Sequence, residues 1–250
     1  MMPGPIRLIV TDVDGCLGAG EARPYDLQVL HQVAELNRAA RRGQPVPAVT
    51  LCTGRPAAYV DAMLQTIDGF LPAIYENGAG LYCPDRYRFV WNPALPATGR
   101  ETIRQARRLV EQGVVDAGIG YIQPGKEVAI TLFPMPGYSL QDVGKAARAA
   151  LAVQDLPCRV EVSVTSVDIW LEGTDKGDGL QWLSVETGIP LAGMCGVGDT
   201  PSDLCFLRLV GFSAAPANAE PEVKASVDYV SAHEHGQGLL DIIEQARRRR

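Results

Sequence analysis

Apolar residues near the start of the chain come in short, dense runs, each closed by a polar cluster. The first, Ile6-Arg7-Leu8-Ile9-Val10, stops at Thr11-Asp12, as a buried strand would. Behind Asp26, Leu27, Leu30, Val33 and Ala34 recur at helical spacing, and Arg41-Arg42-Gly43 supplies a basic last turn and a glycine stop. A second strand is predicted over 46–52. A helix over 57–65 follows, with Pro56 where a first helical turn accepts it. Strand, helix, strand, helix is the rhythm of parallel βαβ units.

That rhythm changes after Asn77-Gly78-Ala79-Gly80. Residues 82–91 read as hairpin material, 101–111 as a helix and 128–133 as a strand; Ser139 caps a helix to 152, with Asp142 closing a capping box. Val160, Val162 and Val164 alternate with Glu161, Ser163 and Thr165. The apolar phase then moves to Val167, Ile169 and Leu171, which requires a turn or bulge near 165–166. From Lys176 the βαβ pattern returns, with a helix over 180–186, a strand over 194–197 ending at Gly198-Asp199, and a last helix over 239–246. The expected fold is α/β: a Rossmann-like parallel-sheet core built from 1–80 and 172–250, interrupted by an inserted α+β domain over 81–171.

Composition narrows the function classes. With 250 residues, 46% hydrophobic and 21% charged, the chain can bury a substantial core. A net charge of −6 argues against a nucleic-acid partner, and the Arg247–Arg250 run reads as a solvated end. No apolar run approaches the ~18 residues of a membrane span, and the N-terminus lacks the pattern of a signal peptide. A cytoplasmic protein with no membrane partner is expected. Six scattered cysteines read as reduced packing thiols, and with only three histidines zinc fits poorly. A metal here would be held by carboxylates, which favours Mg²⁺.

Four short elements carry candidate chemistry. Asp12-Val13-Asp14-Gly15 lies at the end of the first strand, where open parallel sheets place ligands, and residues two apart on an extended chain face one way. Thr53-Gly54-Arg55 lies at the end of the second strand, before a helix whose free N–H groups suit phosphate. Lys176, one of four lysines, stands at the re-entry into the core. Gly198-Asp199-Thr200-Pro201-Ser202-Asp203 sets two carboxylates four apart around a turn, a workable Mg²⁺ site. Taken singly, each is read at least as readily as a turn, a cap or a surface residue.

In order and at strand ends, they resemble the haloacid dehalogenase superfamily of phosphatases, whose pattern is Asp-x-Asp-Gly, Ser/Thr, Lys, then Gly-Asp-x-x-x-Asp. An insertion between the second and third elements, and Tyr75-Glu76-Asn77-Gly78-Ala79 before it, resemble cap subclass IIB, the Cof-like branch. Asp-Lys-Gly at 175–177, Pro216-Ala217-Asn218-Ala219 and His235-Gly236-Gln237-Gly238 are similar to archaeal-type phosphoglycolate phosphatases and mannosyl-3-phosphoglycerate phosphatases.

The resemblance implies Asp12 as nucleophile and metal ligand, and Asp14 as general acid and base with its backbone carbonyl on Mg²⁺. It implies Lys176 as charge compensator, Asp199 as metal ligand, and Asp203 as a further metal-site carboxylate or a support for Lys176. Thr53, Gly54, Arg55, Asn77 and Ser202 would bind substrate phosphate. Cys16 and Ser202 depart from the usual Thr and Asn. The substrate expected is a small phosphorylated metabolite, phosphoglycolate or a sugar phosphate, turned over by a monomer or homodimer. Arg159, Lys126 and Tyr138 are candidate substrate contacts in the insertion. A phosphohexomutase, or an inactive module that only binds phosphorylated ligands, would share these features. Nucleotide kinase chemistry is disfavoured because no Gly-x-x-x-x-Gly-Lys-Ser/Thr loop occurs.

Overall fold

The computed structural model describes residues 4–163, 165–171 and 173–249; Val164 and Arg250, both singled out in the sequence, lie outside them. The chain divides into two compact units, one formed by Met1–Asn92 and Asp175–Arg250, the other by Pro93–Thr174.

The first unit opens with β1 (Leu8–Thr11), α1 (Leu27–Arg41), β2 (Ala48–Leu51), α2 (Ala57–Thr66), β3 (Ala73–Tyr75), β4 (Gly80–Cys83) and β5 (Arg88–Trp91). Asp26 caps α1 by accepting from Gln28 N and Val29 N, so the helix starts where the apolar spacing begins.

The second unit runs α3 (Gly99–Val110), β6 (Gly120–Ile122), β7 (Ala129–Pro134), α4 (Leu140–Leu151), β8 (Cys158–Val162) and β9 (Val167–Leu171). Its four strands form one antiparallel sheet in the order β6-β7-β9-β8. Ile130, Leu132, Val167 and Ile169 pack with Ala106 and Val110 of α3 and Val143 and Ala147 of α4. The intervening strand positions take the other side of the pleat and include Thr131 paired with Asp168. The Ser139–Asp142 capping box is present.

The chain then returns to the first unit with α5 (Lys176–Thr187), β10 (Met194–Val197), α6 (Leu204–Leu207), β11 (Phe212–Ala215), α7 (Pro221–Lys224), β12 (Tyr229–Val230) and α8 (His235–Arg248). Five strands make a parallel sheet in the order β12-β11-β10-β1-β2. All four residues of β1, β2, β10 and β11 are buried, as in sheets covered on both faces. Leu8, Val10, Leu180, Leu183, Met194 and Phe206 share one core cluster, while α1 and α8 pack on each other and on β2 and β11. Each such fully buried Leu or Ile contributes roughly 1.5–3 kcal/mol. Asn37, fully buried, closes the edge strand β2: its amide donates to Val49 O (3.2 Å) and Ile67 O (2.9 Å) and accepts from Val49 N (2.7 Å).

Two boundaries differ from the sequence reading. The insertion was expected to begin at 81, but β4 pairs antiparallel with β3 and β5 with β4, and Leu81 lies in one core cluster with Leu180 and Met194. The hairpin therefore belongs to the first unit, and the second starts at Pro93. The helix expected from 180 begins four residues earlier, because Asp175 and Asp178 form a capping box that sets Lys176 at its first position. All six cysteines are free. Among the described residues no helix is long and apolar enough to cross a membrane.

Candidate active site

The sheet register fixes where the motifs meet. Thr11 aligns with Leu51 on one side and Val197 on the other, so β1, β2 and β10 end level. Asp12 follows the β1 end directly, Thr53 and Asp199 lie two residues past the ends of β2 and β10, and the strand order reverses about β1, the position where open α/β sheets bind ligands.

Asp12 is 7% exposed and anchored by its N–H to Val197 O (2.8 Å). Its Oδ1 accepts from Val13 N at 2.7 Å, and its Oδ2 lies 3.1 Å from Lys176 Nζ. Lys176 also donates to Asp203 Oδ1 at 2.6 Å. Asp203 is fully buried, and its second oxygen accepts from Asp199 N (3.0 Å), Thr200 N (3.0 Å) and Thr200 Oγ1 (3.2 Å). Asp203 thus staples the turn after β10 and aims Lys176 at Asp12. Asp12, Asp199 and Asp203 each offer an oxygen within 4.8 Å of the others.

One ammonium does not balance three clustered carboxylates. Burial pushes Asp12 up to about 7, against the pull of Lys176 and helped by Asp203. Burial also lifts Asp199 to about 8, with the Asp12 and Asp203 charges adding. Burial alone would lower Lys176, but Asp12 and Asp203 outweigh it and hold the amine charged. Three carboxylates share one ammonium here, and the groups that could hold a metal ion are all oxygens.

Asp14 sits beyond the β1 end in a bidentate pair with Arg55, Nε to Oδ2 and Nη2 to Oδ1 both at 2.7 Å. The Arg55 guanidinium lies 5.0 Å above the Tyr59 ring, whose hydroxyl pairs with Tyr25. Buried Thr53 accepts from Arg55 N at 3.1 Å, and its carbonyl takes Asn77 N–H at 3.1 Å. A Cβ on Gly54 would lie 2.9 Å from Asn77 Oδ1, so the loops touch there. Glu76, Asn77 and Gly78 all have positive φ, and a Cβ on Gly78 would overlap Asp175 O at 1.9 Å. The 76–78 turn thereby presses on the start of α5, which carries Lys176.

The structure therefore brings Asp12, Lys176, Asp199 and Asp203 together, with Asp14 and Arg55 paired and Thr53, Gly54 and Asn77 in one loop contact. Ser202 is exposed and paired with Thr200 Oγ1 at 2.8 Å. Within the second unit, Lys126 is buried with its ammonium on Thr131 and Asp168, while Arg159 and Tyr138 are exposed.

Sequence reasoning missed several groups. Cys16, read as packing, also donates to Asp199 Oδ1 at 3.6 Å. The Tyr25–Tyr59 pair left no motif. Asn218 and His235 had been noted only as resemblance features, yet both bond the Gly15 carbonyl.

A family model described as haloacid dehalogenase-like hydrolase matches residues 152–243. A phosphoglycolate phosphatase of Methanothermobacter thermautotrophicus is 24% identical over 240 residues, 96% of this chain and 98% of that protein. Another, from Methanothrix thermoacetophila, is 36% identical over 106 residues, 42% of this chain and 47% of that protein. The crystal structure of the Thermoplasma acidophilum 0175 protein superposes with a TM-score of 0.73 at 20% identity, covering 97% of this chain and 99% of that one; at that identity the likeness shows the fold.

Proposed function

Starting from a chain that belongs to the haloacid dehalogenase-like hydrolases and is a phosphoric monoester hydrolase, we propose that it cleaves small phosphomonoesters through a phosphoryl group carried on Asp12. The observation that carries this reading is the salt-bridged pair of buried Asp12 and Lys176 at the level ends of β1, β2 and β10.

Asp12 Oδ2 attacks phosphorus, forming an O–P bond as the ester P–O bond breaks, and Asp14 gives its proton to the departing alkoxide. Water then attacks the aspartyl-phosphate, losing a proton to Asp14, and the Asp12–phosphorus bond breaks to release inorganic phosphate. Val13 N–H holds the other Asp12 oxygen, fixing which one attacks. Lys176, locked by Asp203, offsets charge on the phosphoryl oxygens. Arg55 orients Asp14 through the two-bond fork, fixing where its carboxylate stands. In the first half Asp14 must carry a proton, so Arg55 has to release it, and the incoming phosphate is the natural competitor for its guanidinium fork. Thr53 and the loop N–H groups beside it bind phosphate oxygens.

The donors fit Mg²⁺: all are carboxylate or carbonyl oxygens, and the buried carboxylates converge with a single ammonium between them. Asp12, Asp199 and the Asp14 backbone carbonyl would hold it. When bound it would neutralise the repulsion between Asp12 and the phosphate dianion. Both Asp203 oxygens are already engaged, so its part is to hold Lys176 and the turn.

The unit Pro93–Thr174 is proposed as the cap that selects substrate. Phosphoglycolate is the first substrate to test, because nearly full-length relatives bear that name; sugar phosphates come next. The experiment is phosphate release from a panel of small phosphomonoesters, with and without Mg²⁺. Metal-dependent release from at least one member supports the reading, and none from any member, with the protein folded, refutes it.

A further inference from the structure

The turn that carries Asp12 and Asp14 closes mostly on itself: Gly15 N bonds Gly18 O (2.8 Å), Gly18 N bonds Val13 O (2.9 Å) and Leu17 N bonds Asp12 O (3.4 Å). Such bonds shape a turn but do not set where it stands relative to Asp199. That placement comes from bonds that leave the turn, among them Asp12 N–H to Val197 O (2.8 Å) and Cys16 Sγ to Asp199 Oδ1 (3.6 Å). The Gly15 carbonyl accepts from Asn218 Nδ2 at 2.9 Å and from His235 Nδ1 at 3.2 Å. Asn218 Oδ1 in turn accepts the His235 backbone N–H at 2.8 Å, so the Asn218 side chain is tied to the start of α8 that carries the imidazole. The loop bearing Asn218 also reaches the other half of the site, where Glu220 N–H bonds Asp199 O at 2.8 Å. Gly15 itself lies against Asp199: with φ of 84°, a Cβ there would sit 2.0 Å from Asp199 Oδ2.

His235 adds a conformational clue. Its φ is 49°, the left-handed region that costs a non-glycine residue energy, at the first position of α8. Glycine would start that helix with less strain, so the imidazole is retained against its local cost and its bond to Gly15 is the evident use. Facing a carbonyl, Nδ1 must carry a proton, which both the neutral Nδ1–H form and the cation provide.

We infer that Asn218 and His235 form a bracket on the Gly15 carbonyl that sets the position of the Asp12–Asp14 turn against Asp199, making both of them positioning residues for phosphoryl transfer. The inference rests on the phosphatase reading for its kinetic consequence. Neither side chain touches the reacting carboxylates, so each acts through the turn. The bracket joins residues about 200 positions apart, which no local motif announces.

The test uses His235→Gly and Asn218→Ala in the full chain, with p-nitrophenyl phosphate as substrate. His235→Gly relieves the backbone strain, so its melting temperature should hold or rise while kcat falls about tenfold. Asn218→Ala should lose ~10- to 100-fold in kcat with KM changed less than threefold, the scale of a misplacement near 1 Å. His235→Asn, which tolerates the same backbone and retains a donor, should recover part of the kcat lost in His235→Gly. Unchanged kcat in both His235→Gly and Asn218→Ala overturns the inference. Should the wild type hydrolyse no phosphomonoester, the phosphatase reading has failed, and amide exchange over residues 12–18 decides the bracket alone. Faster exchange there in both variants, with β2 unchanged, supports it; unchanged exchange overturns it.

Discussion

Replacing Asp203 by alanine pits two opposite electrostatic effects against each other. The fully buried carboxylate takes four hydrogen bonds, from Lys176 Nζ (2.6 Å), Asp199 N (3.0 Å), Thr200 N (3.0 Å) and Thr200 Oγ1 (3.2 Å). It is also one of the negative charges that raise Asp12 and Asp199. If crowding of carboxylates dominates, its removal stabilises the metal-free protein. If anchoring dominates, Lys176 is left buried with Asp12 alone, and breaking such a pair costs about 3–5 kcal/mol. Two N–H groups of the turn also lose their acceptor. The anchoring term should win, because relief of repulsion can be had more cheaply by protonating Asp12 or Asp199, both held near neutral pH. For a chain of this size each kcal/mol shifts Tm by roughly 2–4 °C, so Asp203→Ala in EDTA should melt about 6–20 °C lower. Asp203→Asn keeps the shape and can still accept from the turn, so it should fall less, but its amide opposes the Lys176 ammonium. Its kcat should drop on the order of 100-fold, the loss seen when one preorganised charge contact is removed. Thermal melts by circular dichroism in EDTA, with steady-state kinetics in Mg²⁺, read both quantities. A Tm for Asp203→Ala equal to or above wild type would refute the anchoring argument.

Two further outcomes follow from the same charges. Burial holds Asp12 at about 7 and Asp199 at about 8 in the folded chain, against an ordinary carboxyl value of 3.8, so the folded state retains protons that the unfolded chain has released. In EDTA their contribution to stability is fully present below about pH 4 and is lost as pH rises through 7 to 8; melts from pH 5 to 9 should decline, and the gain in Tm on adding Mg²⁺ should grow with pH. Absence of both trends contradicts the charge deficit. Arg55→Lys retains a charge but not the fork, so kcat should fall about 10- to 100-fold with Tm nearly unchanged, since catalysis by Asp14 depends on its orientation; an unchanged kcat in steady-state assays counts against the Arg55–Asp14 assignment.

The motifs were legible because parallel strands bring their carboxyl ends level, and a run that stops at Thr11-Asp12 or Val197-Gly198-Asp199 announces such an end. Pattern could not say which sheet the 80–91 hairpin joins. Its alternation is that of any antiparallel pair, and it is the pairing of β4 with β3 and the place of Leu81 in the core cluster of Leu180 and Met194 that assign it to the first unit. The start of α5 was placed late because apolar spacing begins at Leu180, whereas Asp175 and Asp178 begin the helix through hydrogen bonds. The Gly15 bracket and the Arg55–Asp14 pair join residues far apart in sequence, so local composition carried no trace of them. Asp203 was legible as a site residue but not as an anchor, since its partners are backbone N–H groups of its own turn and a lysine 27 residues away.

Where the phosphoryl group goes during turnover decides whether Asp12 is the nucleophile. Wild-type enzyme turning over a phosphomonoester in Mg²⁺ should be quenched in acid, digested at low pH and mapped by mass spectrometry. The account predicts an acyl phosphate on the peptide containing Asp12, labile to hydroxylamine and absent from Asp12→Asn, a nearly isosteric variant that should fold normally and turn over at least 1,000-fold more slowly, in line with loss of a catalytic nucleophile. A phosphate on any other residue, or turnover by Asp12→Asn near the wild-type rate, would contradict it.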